Sequence, residues 1–425
     1  MAHLLTQRDG YALMTLLVHE ALGQDSEIQK VDSSNFVSVG EILLANGTEN
    51  VINALSLVLG RTFMAVRPYK AKFNIINAIS TGAYSHRLRK ISFYTRDPKP
   101  AGDWNTDLFI NLADGFTNGQ NVADGDAQST KSMWEQNQPV ALEMNFSGST
   151  VWEDSTTVYE DQLKQAFNSI DSFNTFVAGI MTEKANDIES QKEAFSRMTF
   201  LNRIGMTYDM TANGTTAVNL TAAFNTKFGT SYTSAQLRST YLTEFTKFLV
   251  SRIKTDSDMM TNRSVKHHWY PAKVGHVLTR HTPKDKQRLA LFTPLINDVQ
   301  SYVFPSVFNE EYLKMENYEG ILYWQNEANP SKVDVIPAIP DTTGLTGIQT
   351  AGDRVQLDYV VGALWDEDAL MVDFQLERSN STTLEARKNY RNIWWSFSKN
   401  AINDATENFI LYYMADPAPA PTPGE

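Results

Sequence analysis

A chain of 425 residues is too long for one ordinary core and is expected to divide into two or three units. With 42% hydrophobic and 20% charged residues it reads as soluble and globular, and 49 acidic against 37 basic side chains leave a net charge of −12, without the global basic footprint of strong sequence-specific nucleic-acid binding. There are no cysteines, which excludes disulfides, thiolate metal sites, iron–sulfur clusters and a cysteine nucleophile. No stretch approaches the roughly 18 apolar residues of a membrane span.

Residues 1–45 join an amphipathic segment, Tyr11 to Leu22, to the polar run Gly23 to Ser34. Nothing there makes a core, so this arm is expected to lie on another surface. The apolar run Ala12 to Val18 is short and lacks the basic region of a signal peptide. Thr48 can cap a helix through Val51, Leu55 and Val58, stopped at Gly60 and followed by a strand-like run, Arg61 to Val66. Lys90 to Thr95 and Val140 to Phe146 read as strands, and residues 97–132 between them are rich in turn pairs such as Asp114-Gly115 and Asn118-Gly119. The pattern predicts an extended hairpin with a long polar tip. A projecting hairpin cannot bury both faces on its own domain and must rest on something else.

The longest helical pattern, Val158 to Ile204, contains no proline. Its apolar stripe runs through Phe173, Phe176, Val177, Ile180, Ile188, Phe195, Met198 and Leu201. Ser169 or Asp171 can cap the second part, giving a short helix and then a long one, about 50 Å from Ser172 to Ile204 at 1.5 Å per residue. Met206 to Tyr232 is polar and interrupted. Thr233 to Gln236 is a capping box opening a helix with Leu237, Tyr241, Phe245, Phe248 and Leu249 on one face, ending near Ile253. Leu289 to Phe292 and Val333 to Ile336 read as strands, and Asn297 to Lys314 as one helix or two broken at Pro305. After the glycine-rich loop Asp341 to Asp353, Val355 to Leu364 and Ala369 to Val372 read as strand pairs around the turn Trp365 to Asp368. Strands at Asn392 to Phe397 and Asn408 to Met414 precede a proline-rich tail, Asp416 to Glu425. The fold class is α+β.

Four groups could carry chemistry. His267 and His268 with His276 and His281 are the densest histidine cluster, but no metal-binding spacing accompanies them, and they read as loop or surface histidines. Asp366, Glu367 and Asp368 could serve as paired carboxylates of a hydrolase, and read instead as an exposed turn. The Asp124-Gly125-Asp126 loop lacks the full calcium-ligand series. His86, Arg87, Arg89 and Lys90 form a compact basic patch that could meet nucleic acid, but reads as a solvated strand end or a salt-bridge partner for a neighbouring subunit. Nucleotide-binding and serine-hydrolase signatures are absent, so the expectation is no catalytic, cofactor-binding or metal-binding residue and no enzyme.

The order of arm, short helix, long hairpin, long helix, mixed unit and terminal strands resembles the major capsid proteins of tailed phages, which share the Hong Kong 97 capsid fold. The wording is most similar to the phi-29-like podovirus group at Arg89 to Asp97, Met133 to Pro139, Val151 to Phe167 and Ser172 to Ile180, with weaker echoes at Ala363 to Val372 and Asn389 to Trp395. The resemblance implies an N-terminal arm at 1–45, the start of the P domain at 46–70, an E-loop hairpin at 71–157 and a spine helix at 158–205. It further implies an A domain at 206–370, terminal P-domain strands at 371–414 and a flexible tail at 415–425. The phi-29 type carries an immunoglobulin-like domain at its C-terminus, where this chain has only the tail. The implied function is a self-assembling icosahedral or prolate shell around a double-stranded DNA genome, with a non-viral nanocompartment shell of the same fold as alternative. Implied partners are copies of itself in hexamers and pentamers, with the hairpin and the N-terminal arm lying across a neighbouring copy, a separate scaffolding protein or none, a portal protein at one vertex and packaged DNA held weakly. No membrane is implied. The implied location is the virion capsid, assembled in the bacterial host's cytoplasm.

Overall fold

The computed structural model describes residues 7–22, 30–45, 51, 54, 73, 75–79, 88–95, 139–146, 150–211, 216–271, 276–302, 318–340, 349–383, 385 and 387–416. In chain order the first elements are α1 (Gln7–Leu22), α2 (Phe36–Ala45), β1 (Asn77–Ile79), β2 (Leu88–Phe93), β3 (Ala141–Phe146), β4 (Thr150–Tyr159), α3 (Glu160–Ala166) and α4 (Ile170–Asp209). The mixed unit follows with β5 (Thr216–Asn219), α5 (Leu220–Phe228), α6 (Ser234–Arg238), α7 (Leu242–Thr261), β6 (Gln287–Phe292), α8 (Thr293–Tyr302) and β7 (Tyr318–Ile321). The remainder is strand: β8 (Val333–Val335), β9 (Ala338–Pro340), β10 (Gln349–Ala351), β11 (Val355–Leu357), β12 (Tyr359–Asp366), β13 (Leu370–Ser381), β14 (Tyr390–Asn403) and β15 (Phe409–Met414). The strand-like run at 61–66, most of the helix expected after Thr48, the hairpin tip at 97–132 and the tail from 417 lie outside the described residues. Val51 and Ala54 are helical and buried.

The long helix is α4, 40 residues and so about 60 Å at 1.5 Å per residue. The pause before it is real. Ser169 adopts an extended backbone and its hydroxyl accepts the Ser172 amide at 3.2 Å, satisfying one of the donors that a helix start leaves open. The helix joins two separate apolar cores. Its first turns place Phe173 and Val177 among α1, α2, α3 and the β14 residues Ile393, Trp395 and Phe397. Its last turns place Phe200, Leu201 and Ile204 against the five-stranded sheet and α7. Met198, expected in the apolar stripe, is instead 57% exposed. Near this end of the helix, a Cβ on Gly205 would stand 2.6 Å from Val335, so a bare backbone admits the β8 segment.

The N-terminal arm finds its surface on its own chain. Met14, Leu17 and Val18 of α1 and Phe36 and Leu43 of α2 are buried with Phe167 and Phe173, and the Phe36 and Phe173 rings meet edge to face at 5.9 Å. Gly10 permits the close crossing of α1 over α4, since a Cβ there would collide with Asn174.

Two larger sheets carry most of the rest, beside the two-stranded ribbons β2-β3, β8-β11 and β9-β10. One has strand order β1-β13-β14-β4 and the other β5-β15-β12-β6-β7. The strands on either side of residues 365–368 therefore do not pair with each other, against the sequence expectation. β12 pairs with β6 and β15 while β13 pairs with β14 over most of its length, so the chain changes sheets through the 3₁₀ turn Glu367–Ala369. The same exchange separates β14 from β15. β12 is buried almost throughout, and a strand covered on both faces carries no alternation to name its partners. The polar stretch from Met206 to Tyr232 is also more regular than its composition predicts. α4 runs on to Asp209, and α5 is capped by Asn219, whose side chain accepts from Thr221 at 3.1 Å, and closed by Gly229 at φ 66°. The capping box at Thr233 is present, but its helix stops at Arg238 and a second begins at Leu242, reaching Thr261. α8 starts before Asn297, at Thr293, and residues 303–317 are outside the described set.

Candidate assembly surface at the hairpin root

β2 and β3 form a two-stranded antiparallel ribbon, with Lys90 opposite Met144 and Ser92 opposite Leu142. Alternation sends Lys90 and Ser92 to one face and Ile91 and Phe93 to the other. The first face meets the body. The second is open, with Ile91 49% and Phe93 65% exposed. No β2 or β3 residue belongs to the buried apolar clusters of the described residues, so the ribbon is held at its root chiefly by polar contacts.

Those contacts converge from three directions. Thr95 pairs its backbone with Val277 at 2.7 and 2.9 Å, the Tyr94 hydroxyl donates to the Pro271 carbonyl at 2.9 Å, and Arg263 donates to the Thr95 hydroxyl at 2.6 Å. Arg280 donates to the Ser92 hydroxyl at 2.6 Å and to the Thr406 carbonyl at 2.9 Å. Lys90 reaches the carboxylates of Asp404 and Glu407 in the turn between β14 and β15. From beneath, Arg203 of α4 is fully buried and donates to the carbonyls of Asp404 at 2.6 Å and Glu407 at 2.9 Å. Burial opposes the charge on Lys90, but the two carboxylates outweigh it and raise its pKa. Glu407 is also raised, by burial, which outweighs Lys90 and Arg280 and to which the like charge of Asp404 adds. A cavity of about 480 Å³ beside this node is lined by both signs of charge, including Arg263, Arg280, Asp366 and Glu407.

The basic patch of the sequence is thus split. Arg89 pairs with Glu143 across the ribbon at 2.8 Å, Lys90 turns inward to acids of its own chain rather than to a neighbour, and His86 and Arg87 lie outside the described residues. The histidines do not converge. His281 is on the surface, but His267 and His268 are buried rather than exposed. His268 bridges the Leu278 carbonyl at 2.8 Å and the Asn408 side chain at 3.2 Å, and burial lowers its pKa to about 4. His267 lies 3.2 Å from the Thr216 hydroxyl and is likewise lowered by burial. The acidic turn is not the exposed trio expected. Asp366 is buried, accepts from Thr282 at 2.7 Å and from the Asp368 amide at 2.9 Å, and has its pKa raised by burial, while Glu367 pairs with Lys286 and Arg288. These carboxylates are engaged in holding the turn between sheets. Asp124-Gly125-Asp126 lies outside the described residues. Arg203, Asp404 and Glu407 were missed by sequence reasoning. The only signal was an arginine two positions beyond Leu201 at the end of an apolar stripe, and an acid-rich turn that reads like any other.

The model of the Phi29-like phage major capsid protein family matches residues 92–413, from the outgoing strand of the hairpin to the last strand of the second sheet and well over half of the chain. The chain belongs to that family. It is therefore a major capsid protein of a tailed phage, a structural protein of the virion shell that is built from many copies. No curated protein matches the sequence. Among solved structures, similar chains occur in the capsid of Staphylococcus phage Andhra, at 13% identity over 81% of this chain and 84% of that one with a TM-score of 0.49. Another occurs in the structure of head fiber and inner core protein gp22 of native bacteriophage P68, at 10% identity over 80% and 85% with a TM-score of 0.47. A third is in the mature capsid of bacteriophage PhiM1, at 9% identity over 82% and 89% with a TM-score of 0.38. No described helix of this capsid protein is long and apolar enough to cross a membrane.

Proposed function

We propose that this capsid protein builds its shell by laying the hairpin of β2 and β3, residues 88–146, as an E-loop on the neighbouring copy, with α4 as the spine of each subunit. At the ends of the expected 71–157, Phe73, Ile75, Ile76, β1 and residues 150–157 of β4 instead pack in the subunit's own core and four-stranded sheet. The observation that carries the reading is the outward face of β2, where Ile91 and Phe93 stand in solvent on a ribbon whose polar face is turned inward. Exposed apolar side chains on a projecting ribbon gain about 25 cal/mol per Å² when another surface covers them. Repeated head-to-tail contacts close into rings, here hexamers and pentamers, and many weak contacts per subunit reinforce one another. In this reading residues 206–370 form the A domain, joined by β15, and residues 46–70, the spine and β13 and β14 form the P domain; β15, expected with the P-domain strands, pairs with β12 and β5 instead. Helices α1 and α2 of the arm are packed on their own spine. A separate scaffolding protein guides assembly in the host cytoplasm, and a portal protein occupies one vertex. The net charge of −12 suits a container that holds DNA without gripping it.

The test is a pair of variants, Ile91→Ser with Phe93→Ser, and deletion of residues 100–130. Both are expected to give folded subunits whose particles, viewed by negative stain, are fewer and dissolve at lower guanidinium than the parent's. Particles as resistant as the parent's in both variants overturn the E-loop assignment.

A further inference from the structure

We propose that Lys90 is a positioning residue that fixes the angle of the hairpin against the body, through an ionic latch running from Lys90 to the turn Asp404–Asn408 and on through Arg203 to the long helix. The inference rests on the reading of the hairpin as the arm that contacts a neighbouring copy, and adds how its direction is set.

Three observations support it. Among the described residues the ribbon contributes nothing to the buried apolar clusters, so its angle depends on directional contacts rather than on packing. Thr95 and Tyr94 anchor only the end of the ribbon nearest Val277 and Pro271, leaving rotation about that end to be resisted by Lys90 and Ser92 farther along β2. The acids that Lys90 meets are themselves held. Asp404 is almost wholly buried, its carboxylate accepts the Thr406 amide and hydroxyl at 2.8 and 2.7 Å, and the backbone of the turn is clamped by Arg203. Removing the lysine would leave the two acids facing each other with Arg280 paired to Glu407, and would leave the ribbon tied to the turn through Arg280 alone of these two cations, by way of Ser92 and Thr406. Because the latch ends on α4, the ribbon's outward face is oriented relative to the spine rather than to a local loop.

The absence of cysteines makes the test direct. Asn145→Cys on the ribbon and Thr240→Cys on the body are spin-labelled in the unassembled full-length subunit, and the distance distribution is measured by double electron–electron resonance. The parent is expected to give one narrow distribution. Lys90→Met is expected to broaden or shift it, Lys90→Arg to keep it narrow, and Glu407→Gln, which retains Asp404, to broaden it less than Lys90→Met. Circular dichroism melting confirms that each subunit is folded, and Glu407→Gln carries the test if Lys90→Met fails to fold. Distributions in Lys90→Met and Glu407→Gln that match the parent's overturn the latch, as does equal broadening in Lys90→Met and Lys90→Arg. The labels report the latch without any shell, so failure of the E-loop reading in the particle assay is distinguishable from failure here.

Discussion

Arg203 shows how one buried cation can organise three elements. Its guanidinium sits against the ring of Phe409 at 4.9 Å and donates to two carbonyls of the turn after β14, and burial lowers its pKa to about 10. Arg203→Ala leaves those carbonyls buried without their donor and is expected to cost ~3–5 kcal/mol, read as a lower urea midpoint of the unassembled subunit. His268 makes a complementary prediction with pH. Its folded pKa of about 4 lies below the ordinary 6.5, so folding excludes a proton that the unfolded chain binds. Its contribution is complete above pH 6.5 and is lost as pH falls through the window from 6.5 to about 4, by on the order of 3 kcal/mol. Urea midpoints at both ends of that window, compared between the parent and His268→Gln, should show a smaller acid loss in the variant. Neither role was legible in the sequence, where His268 is one of an adjacent pair and Arg203 one charge among many on a helix. What fixes both is the turn at Asp404–Asn408, brought to them from some 200 positions along the chain in one case and 140 in the other.

Among elements, α4 has the most consequence, because each of its ends belongs to a different core. Phe200 lies between Trp324 at 5.8 Å, Trp365 at 5.2 Å and Phe409 at 6.0 Å. Phe200→Ala should cost ~3–5 kcal/mol in the sheet-side core. Ser190→Pro, placed between the cores, removes a helix hydrogen bond and should cost at least ~3 kcal/mol. Calorimetry is expected to show one unfolding endotherm in the parent divide into two in this variant. The helix itself was legible from its unbroken period and its Ser169 cap. Met198 was not, since the period says which side a residue is on but not how far the partner surface extends. The strands around Asp366 were located by their apolar runs, whereas their partners depended on which sheet could cover both faces.

For the whole molecule, the net charge of −12 makes copies repel one another, and in the proposed E-loop role the exposed Ile91 and Phe93 would oppose that repulsion. Raising salt from about 50 to about 500 mM shortens the screening length severalfold, so shell formation followed by light scattering should be faster and more complete at the higher salt. The opposite trend would mean that intersubunit contacts are dominated by ion pairs. The arm formed by α1 and α2 bears on the same balance. In the subunit it covers Phe167 and Phe173, so an apolar face that would otherwise be open to another copy is closed within the chain.

By itself the sequence determined the long helix with its preceding pause, the two strands of the hairpin, the capping box at Thr233 and the order of parts that resembles a capsid subunit, because each rests on local period or on residues a few positions apart. Only the tertiary structure decided that the arm lies on its own helix, that the chain changes sheets at Asp366 and again after Asn403, and that Lys90 faces Asp404 and Glu407. Those facts are pairings between distant segments. They are selected by which buried faces and charges can be satisfied together, and no local pattern records that choice.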